Sequence, residues 1–163
     1  SFQYLGFGYC GNFRKKFVKE DYQSVFETTY ARGAALLMRC DLIKEYGALD
    51  RDYFLYHEDI EYSFRLKSVG YQTVTVRDAV FFHKYSFSRN KTKFFFIERN
   101  RFGLLYSYLK WPTLILYFPI ALALELGMYI FAAKNGWLAE KNKARRYWLN
   151  SANRKIMKTR NTE

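Results

Sequence analysis

Two adjacent carboxylates, Glu58 and Asp59, lie in the stretch YHEDIEYSFRLKSVGY at residues 56–71. The apolar spacing after them predicts a helix that begins at Glu58, and Gly70 is suited to ending it. Acidic side chains in a first turn satisfy free backbone amides and the helix dipole, so helix capping is one interpretation. General-base catalysis is the other, because a helix N-terminus favours the ionised carboxylate that a base requires.

The two carboxylates fall on different sides of the predicted helix. At about 100° per residue, Glu58, Glu61 and Arg65 share one face. Asp59 lies toward the side of Ser63 instead. We therefore expect Glu61 and Arg65 to form a structural i,i+4 ion pair, and for Asp59 both helix capping and catalysis stay open.

His83 could contribute a second chemical group. It ends the apolar run AVFFH at residues 79–83, and a strand there would bring it to the sheet edge at which the chain enters the helix. Imidazole is a good ligand for Mn²⁺ or Zn²⁺. A lone histidine is more often a core or surface residue, so the sequence leaves both roles open.

The composition bounds the class of protein. The chain has 163 residues, of which half are hydrophobic and 21% are aromatic, so a folded core is expected. A formal net charge of +12 favours an anionic partner, which could be nucleic acid, a phosphate-bearing small molecule or a membrane surface. Cys10 and Cys40 form no CxxC pattern, which favours a reducing, cytoplasmic setting and suggests no zinc site.

The elements around the acidic pair predict an α/β or α+β layer. We expect a strand buried on both faces at residues 31–38, followed by a short helix at 41–46 that Gly47 ends. After the helix that carries Glu58, strands are expected at 71–76 and 79–83. Residues 1–30 are expected to be rich in loops.

The second part of the chain changes character. A helix is expected from Thr92 to about Trp111, and residues 114–133 then form the most apolar segment, near the roughly 20 residues that a spanning helix needs. Pro119 and Glu125 lie inside this segment, so a re-entrant or interfacial hairpin competes with a span. The basic, aromatic tail that follows suits an anionic bilayer surface.

Residues 33–84, together with the later ERNR at 98–101, resemble the second half of the catalytic domain of glycosyltransferase family 2. More narrowly, these residues resemble the rhamnosyltransferase-like and galactofuranosyltransferase-like branch of that family. It covers about 70 residues in register: a small-residue strand, the "G.xD..FF.Y.ED.D...R....G" block, a strand that ends in His, and an Arg-Asn pair. It implies a partial GT-A-type, Rossmann-like domain at residues 1–110, followed by membrane-associated helices at 111–163.

The resemblance also implies roles for particular residues. Asp59 matches the general base that deprotonates the acceptor hydroxyl, with Glu58 in support. His83 matches a position that in some members helps to hold the divalent cation, Mn²⁺ or Mg²⁺, which bridges the donor diphosphate. Substrate contacts would come from Gly33, Ala34, Lys84, Arg99 and Asn100. Tight strand packing is an equal alternative for the first two of these, and a solvated charged face is an alternative for the other three.

The implied reaction is inverting transfer of a sugar from a nucleotide diphosphate sugar to a lipid-linked or polysaccharide acceptor at the cytoplasmic face of the cell membrane. One departure affects this expectation, because no Asp-x-Asp motif precedes Gly33. The chain is therefore expected to hold the acceptor side without the donor half and to be inactive by itself. Two alternatives stay open: a noncatalytic membrane-associated domain with a degenerate transferase fold, and a basic nucleic-acid-binding module.

Overall fold

A computed structural model describes residues 5–8, 16, 18–82, 91–151 and 153 of the chain. These residues divide into two compact units. The first contains the described residues from 7 to 82, and the second contains residues 5, 6, 91–151 and 153. The helix that begins at Thr92 belongs to the second unit, although the resemblance places it in a catalytic domain at residues 1–110.

The first unit contains two helices and a small sheet. After a 3₁₀ turn at Lys19–Asp21 come strand β1 (Val25–Glu27), helix α1 (Cys40–Tyr46), helix α2 (Glu58–Ser68) and strand β2 (Val74–Val76). The strands β1 and β2 pair antiparallel, with Phe26 opposite Thr75. The described part of the chain is therefore mostly helical with a two-stranded sheet, and it does not show a complete Rossmann-like layer.

Two strand predictions were wrong. Residues 31–38 form no strand, and Leu37 is 98% exposed rather than buried. Residues 79–82 are also irregular, with Phe82 88% exposed, so the strand expected to carry His83 to a sheet edge is absent over those residues. Both runs are apolar enough for a buried strand, but a strand also needs a partner for its backbone N–H and C=O groups. In the described residues β2 pairs with β1, a strand that the sequence did not predict.

The helix predictions in this unit were confirmed. Helix α1 ends at Gly47, whose φ of 81° is one that glycine adopts without steric cost. Helix α2 begins at Glu58 and carries acidic residues in its first turn and basic residues in its last, as the helix dipole favours. Ile60 and Tyr62 are both buried although they point in different directions, so the first half of α2 is covered on two sides.

The second unit consists of three helices: α3 (Thr92–Tyr108), α4 (Trp111–Lys134) and α5 (Leu138–Leu149). The turn from α4 to α5 is closed by two bonds, from the Trp137 N–H to the Ala132 carbonyl and from the Gly136 N–H to the Ala133 carbonyl. This Schellman arrangement requires a left-handed residue, and Gly136 supplies it with φ of 71°. Trp137 is buried and stacks on Phe94 of α3 at 4.4 Å between ring centroids, which anchors the turn to α3.

A buried ionic cluster joins the three helices. Glu98 and Arg101 of α3 lie beside Lys141 of α5, and the side chains of all three are at most 3% exposed. The Lys141 Nζ donates to Glu98 Oε2 at 2.5 Å and to Glu125 Oε2 of α4 at 2.9 Å, and Arg101 also pairs with Glu125. Two carboxylates and two cations balance in charge, which is what makes burial of these groups tolerable.

Helix α4 is continuous over 24 residues, so the hairpin alternative was wrong. At 1.5 Å per residue it is about 36 Å long, compared with about 30 Å for a bilayer core. Its length and composition are those of a helix that could cross a membrane. Most of its large apolar side chains are exposed, including Leu116 at 73%, and such a surface marks an interaction site.

Candidate active site

The chain enters α2 through a conformationally strained loop. Phe54, Tyr56 and His57 have φ values of 53°, 65° and 68°, which non-glycine residues rarely adopt. The Leu55 N–H donates to the Tyr53 carbonyl at 2.6 Å, which closes a tight γ-turn around Phe54. Each such residue costs roughly 1–3 kcal/mol, and burial of Tyr53 and His57 holds the loop in place. Strain of this kind concentrates at functional sites.

Asp59 joins two segments that are far apart in the sequence. Its Oδ2 accepts the Gly33 N–H at 2.9 Å, and its Oδ1 accepts the Ile60 N–H at 2.8 Å. Ser63, one turn further along α2, accepts the Ala31 N–H at 3.1 Å and donates to the Asp59 carbonyl at 2.7 Å. Residues 31–33 are thus docked on the first turns of α2, and the Asp59 carboxylate is held in one orientation.

Gly33 and Ala34 lie on the exposed side of this arrangement. A Cβ atom added to Gly33 would lie 3.7 Å from Asp59 Oδ2 and 3.7 Å from Glu58 Oε1. These are ordinary van der Waals distances, so a methyl group would fit there while covering both carboxylates. The tight strand packing considered for Gly33 and Ala34 does not occur, because residues 31–38 form no strand.

Glu58 has a different environment from Asp59. It is half-buried, and its Oε2 is buried without a hydrogen-bond partner among the described residues. Burial raises the pKa of Glu58 above its ordinary 4.5, and the neighbouring charge of Asp59 raises it further. Adjacent carboxyl groups in unlike environments are suited to separate roles, one as proton acceptor and one as hydrogen-bond donor or acceptor toward a substrate.

The predicted pair of Glu61 and Arg65 was confirmed, at 2.8 Å between Arg65 Nη2 and Glu61 Oε2. Arg65 also donates to the carbonyls of Tyr46 and Ala48, at 2.6 and 2.9 Å. It therefore ties α2 to the end of α1, where free carbonyls favour a cation. These contacts position the helix that carries the acidic pair.

The metal prediction rests on His83, which lies outside the described residues. Lys84, a predicted substrate contact, also lies outside them. Within the described ranges, no three His, Cys, Asp or Glu side chains are grouped as a metal site would need. Asp50, which has Asp-x-Asp spacing with Asp52, accepts the Asp52 N–H at 2.9 Å as a turn residue does. The divalent cation stays a prediction.

Arg99 and Asn100 belong to α3 in the second unit and are buried, so a solvated charged face was the wrong alternative for both. Arg99 Nε donates to Asn100 Oδ1 at 2.8 Å. The guanidinium carbon lies 5.1 to 5.6 Å from the ring centroids of Phe95, Phe96 and Tyr147. Such cation–π contacts stabilise a buried arginine. The contact of Arg99 and Asn100 with a diphosphate or an acceptor stays a prediction.

Sequence reasoning missed Ser63 as a docking residue and missed the cluster around Glu98 and Arg101. The i,i+3 spacing of Glu98 and Arg101 was a signal for their ion pair. Glu125, which lies inside the apolar segment, has two basic neighbours, Arg101 and Lys141. No protein-family model, curated protein or solved structure matches the chain.

Proposed function

We propose that the chain is the acceptor-side part of an inverting glycosyltransferase. The observation that carries this proposal is the hydrogen bond from Gly33 to Asp59. This bond joins two residues that are 26 positions apart in the sequence. The resemblance to glycosyltransferase family 2 assigns both residues to one site, Gly33 as a substrate contact and Asp59 as the base. The strained loop before α2 and the buried carboxyl of Glu58 add support, because both are features of reactive sites.

In this proposal, Asp59 acts as the base in a single displacement. Both of its oxygens are oriented by backbone N–H donors, and each retains a lone pair. One oxygen takes the proton from the acceptor hydroxyl as that oxygen bonds to the anomeric carbon. The bond from the anomeric carbon to the diphosphate breaks, the nucleoside diphosphate leaves with the electron pair, and the configuration inverts. Glu58 supports the acceptor through a hydrogen bond.

The test is release of nucleoside diphosphate by the complete polypeptide from a panel of UDP-, GDP- and dTDP-sugars, with extracted membrane lipids as acceptors. We expect release with at least one donor, and NMR of the product should show inversion at the anomeric carbon. Asp41→Asn is a matched control, since Asp41 is an exposed carboxylate paired with Arg39 near the start of α1. The proposal fails if no donor is consumed, or if the product retains its configuration.

We further propose that α4 lies at the surface of the cytoplasmic membrane face. Helix α5 packs beside the middle of α4, where Lys141 meets Glu125 and Arg145 Nη1 lies 3.5 Å from the Tyr129 hydroxyl. If α4 crossed the bilayer, exposed cations of α5 would enter hydrocarbon with it, at about 3 kcal/mol each on insertion scales. An interfacial position instead places them near anionic headgroups, at a gain of roughly 1 kcal/mol each.

Washing membranes with high salt or carbonate tests this position. We expect at least partial release, and charge reversal in α5 should weaken association. Full retention in the pellet under both washes, together with protease protection of a tag after Glu163 on the far side, would establish a spanning helix and refute the interfacial position.

A further inference from the structure

The second unit contains a groove with a volume of about 620 Å³ between its three helices. Phe102 and Tyr106 line it from α3, and Leu122, Leu126 and Tyr129 line it from α4. These positions recur every three or four residues, so each helix presents one face to the groove. Pockets of about 300–1,000 Å³ with mainly apolar walls are typical of small-molecule sites.

The charged groups at the groove are not equivalent. Glu125 and Lys141 are bonded to each other and belong to the balanced ionic cluster. Arg145 has a different situation, because its described contact is with the Tyr129 hydroxyl and no described carboxylate lies within 4 Å of it. The groove therefore combines apolar walls with one exposed guanidinium that forms no ion pair with a described carboxylate.

We infer that this groove binds the acyl chain of an anionic phospholipid, with the lipid phosphate at Arg145. The apolar walls suit a hydrocarbon chain, and a guanidinium suits a phosphate because it can donate two parallel hydrogen bonds. Leu126 is 61% exposed at the groove. It lies on a helix whose length and composition suit contact with lipid. The formal charge of +12 disfavours a second copy of the chain as the occupant, because like-charged surfaces repel.

This inference does not depend on sugar transfer, and photolabelling of the full chain in phosphatidylcholine nanodiscs tests it. The probe carries a diazirine on its acyl chain and either a phosphatidylglycerol or a phosphatidylcholine headgroup. We expect the phosphatidylglycerol probe to label groove residues of α3 and α4 preferentially, as identified by mass spectrometry of the cross-linked peptides. Inorganic phosphate in excess should not displace it, because phosphate lacks the chain that the walls bind.

Matched variants separate the groove from the rest of the surface. Leu126→Trp fills the groove and should reduce labelling at least about fivefold, whereas Leu116→Trp places the same ring on an exposed position outside it. Arg145→Glu should abolish the preference for phosphatidylglycerol, whereas Arg146→Glu, an equal charge change at the next position, should preserve it. If circular dichroism shows that Leu126→Trp unfolds, Leu122→Trp takes its place.

Three results would overturn the inference. The first is labelling that maps outside the groove, or that Leu126→Trp and Leu116→Trp reduce equally. The second is equal labelling by both headgroups in the unaltered chain, which would remove the role of Arg145. The third is full displacement of the probe by inorganic phosphate, which would indicate a free-anion site.

Discussion

Replacing Asp59 with asparagine tests whether this residue is a base or only a docking residue. Asparagine has one side-chain acceptor oxygen, so it can keep the bond from the Gly33 N–H or the one from the Ile60 N–H, but not both. Loss of one charge-assisted bond costs about 1.5–3 kcal/mol, which leaves a protein of ordinary stability, about 5–15 kcal/mol, folded. Loss of a general base lowers the rate by about 10²- to 10⁴-fold.

Ser63→Ala provides the matched control. It removes the acceptor of the Ala31 N–H, and so loosens the same segment at a cost of about 1–3 kcal/mol, but it leaves the Asp59 carboxylate in place. Urea denaturation should therefore show similar losses for the two variants. Release of nucleoside diphosphate by the complete polypeptide should fall 10²-fold or more for Asp59→Asn alone, with nucleotide-sugar binding nearly unchanged.

Two outcomes would refute this reasoning. Near wild-type release by Asp59→Asn would remove Asp59 from the mechanism. An equal loss of activity in Ser63→Ala would show that docking of residues 31–33, and not proton transfer, explains the effect of the Asp59 variant.

Four further predictions concern the site and its support. Glu58→Gln should become progressively more stable than the unaltered chain as the pH rises above 4.5, measured by urea denaturation. The pKa of Glu58 is raised in the folded state, so the unaltered chain loses stability as the pH rises from the unfolded value of 4.5 through the folded value, whereas glutamine does not titrate. Gly33→Ala should leave the melting temperature nearly unchanged yet lower kcat/KM, because its methyl group would cover both carboxylates; unchanged kcat/KM would show that no substrate enters there. Glu98→Gln should lower the free energy of unfolding in detergent by about 3–5 kcal/mol, and adding Lys141→Met should recover part of it by restoring charge balance; no recovery would contradict the balanced cluster. His83→Ala should raise the Mn²⁺ concentration needed for half-maximal activity, and an unchanged metal titration would remove His83 as a ligand.

Features that depend on neighbours along the chain could be predicted from the amino-acid sequence. The boundaries of α1 and α2 followed from apolar spacing, an acidic first turn and a glycine after the C-terminal end of each helix. These signals are local because helical hydrogen bonds close within four residues. The pair of Glu61 and Arg65 followed from the same periodicity.

Features that depend on partners distant in the sequence could not be predicted and emerge only in the folded structure. Residues 31–38 have a strand-like composition, but the N–H groups of Ala31 and Gly33 bond to side chains of α2, so α2 sets the conformation at the start of this run. The positive φ values of Phe54, Tyr56 and His57 arise where burial offsets a local cost, which no local propensity predicts. The partners of Glu125 lie 24 and 16 positions away, on two other helices, and a charge can be buried only where such partners converge in space.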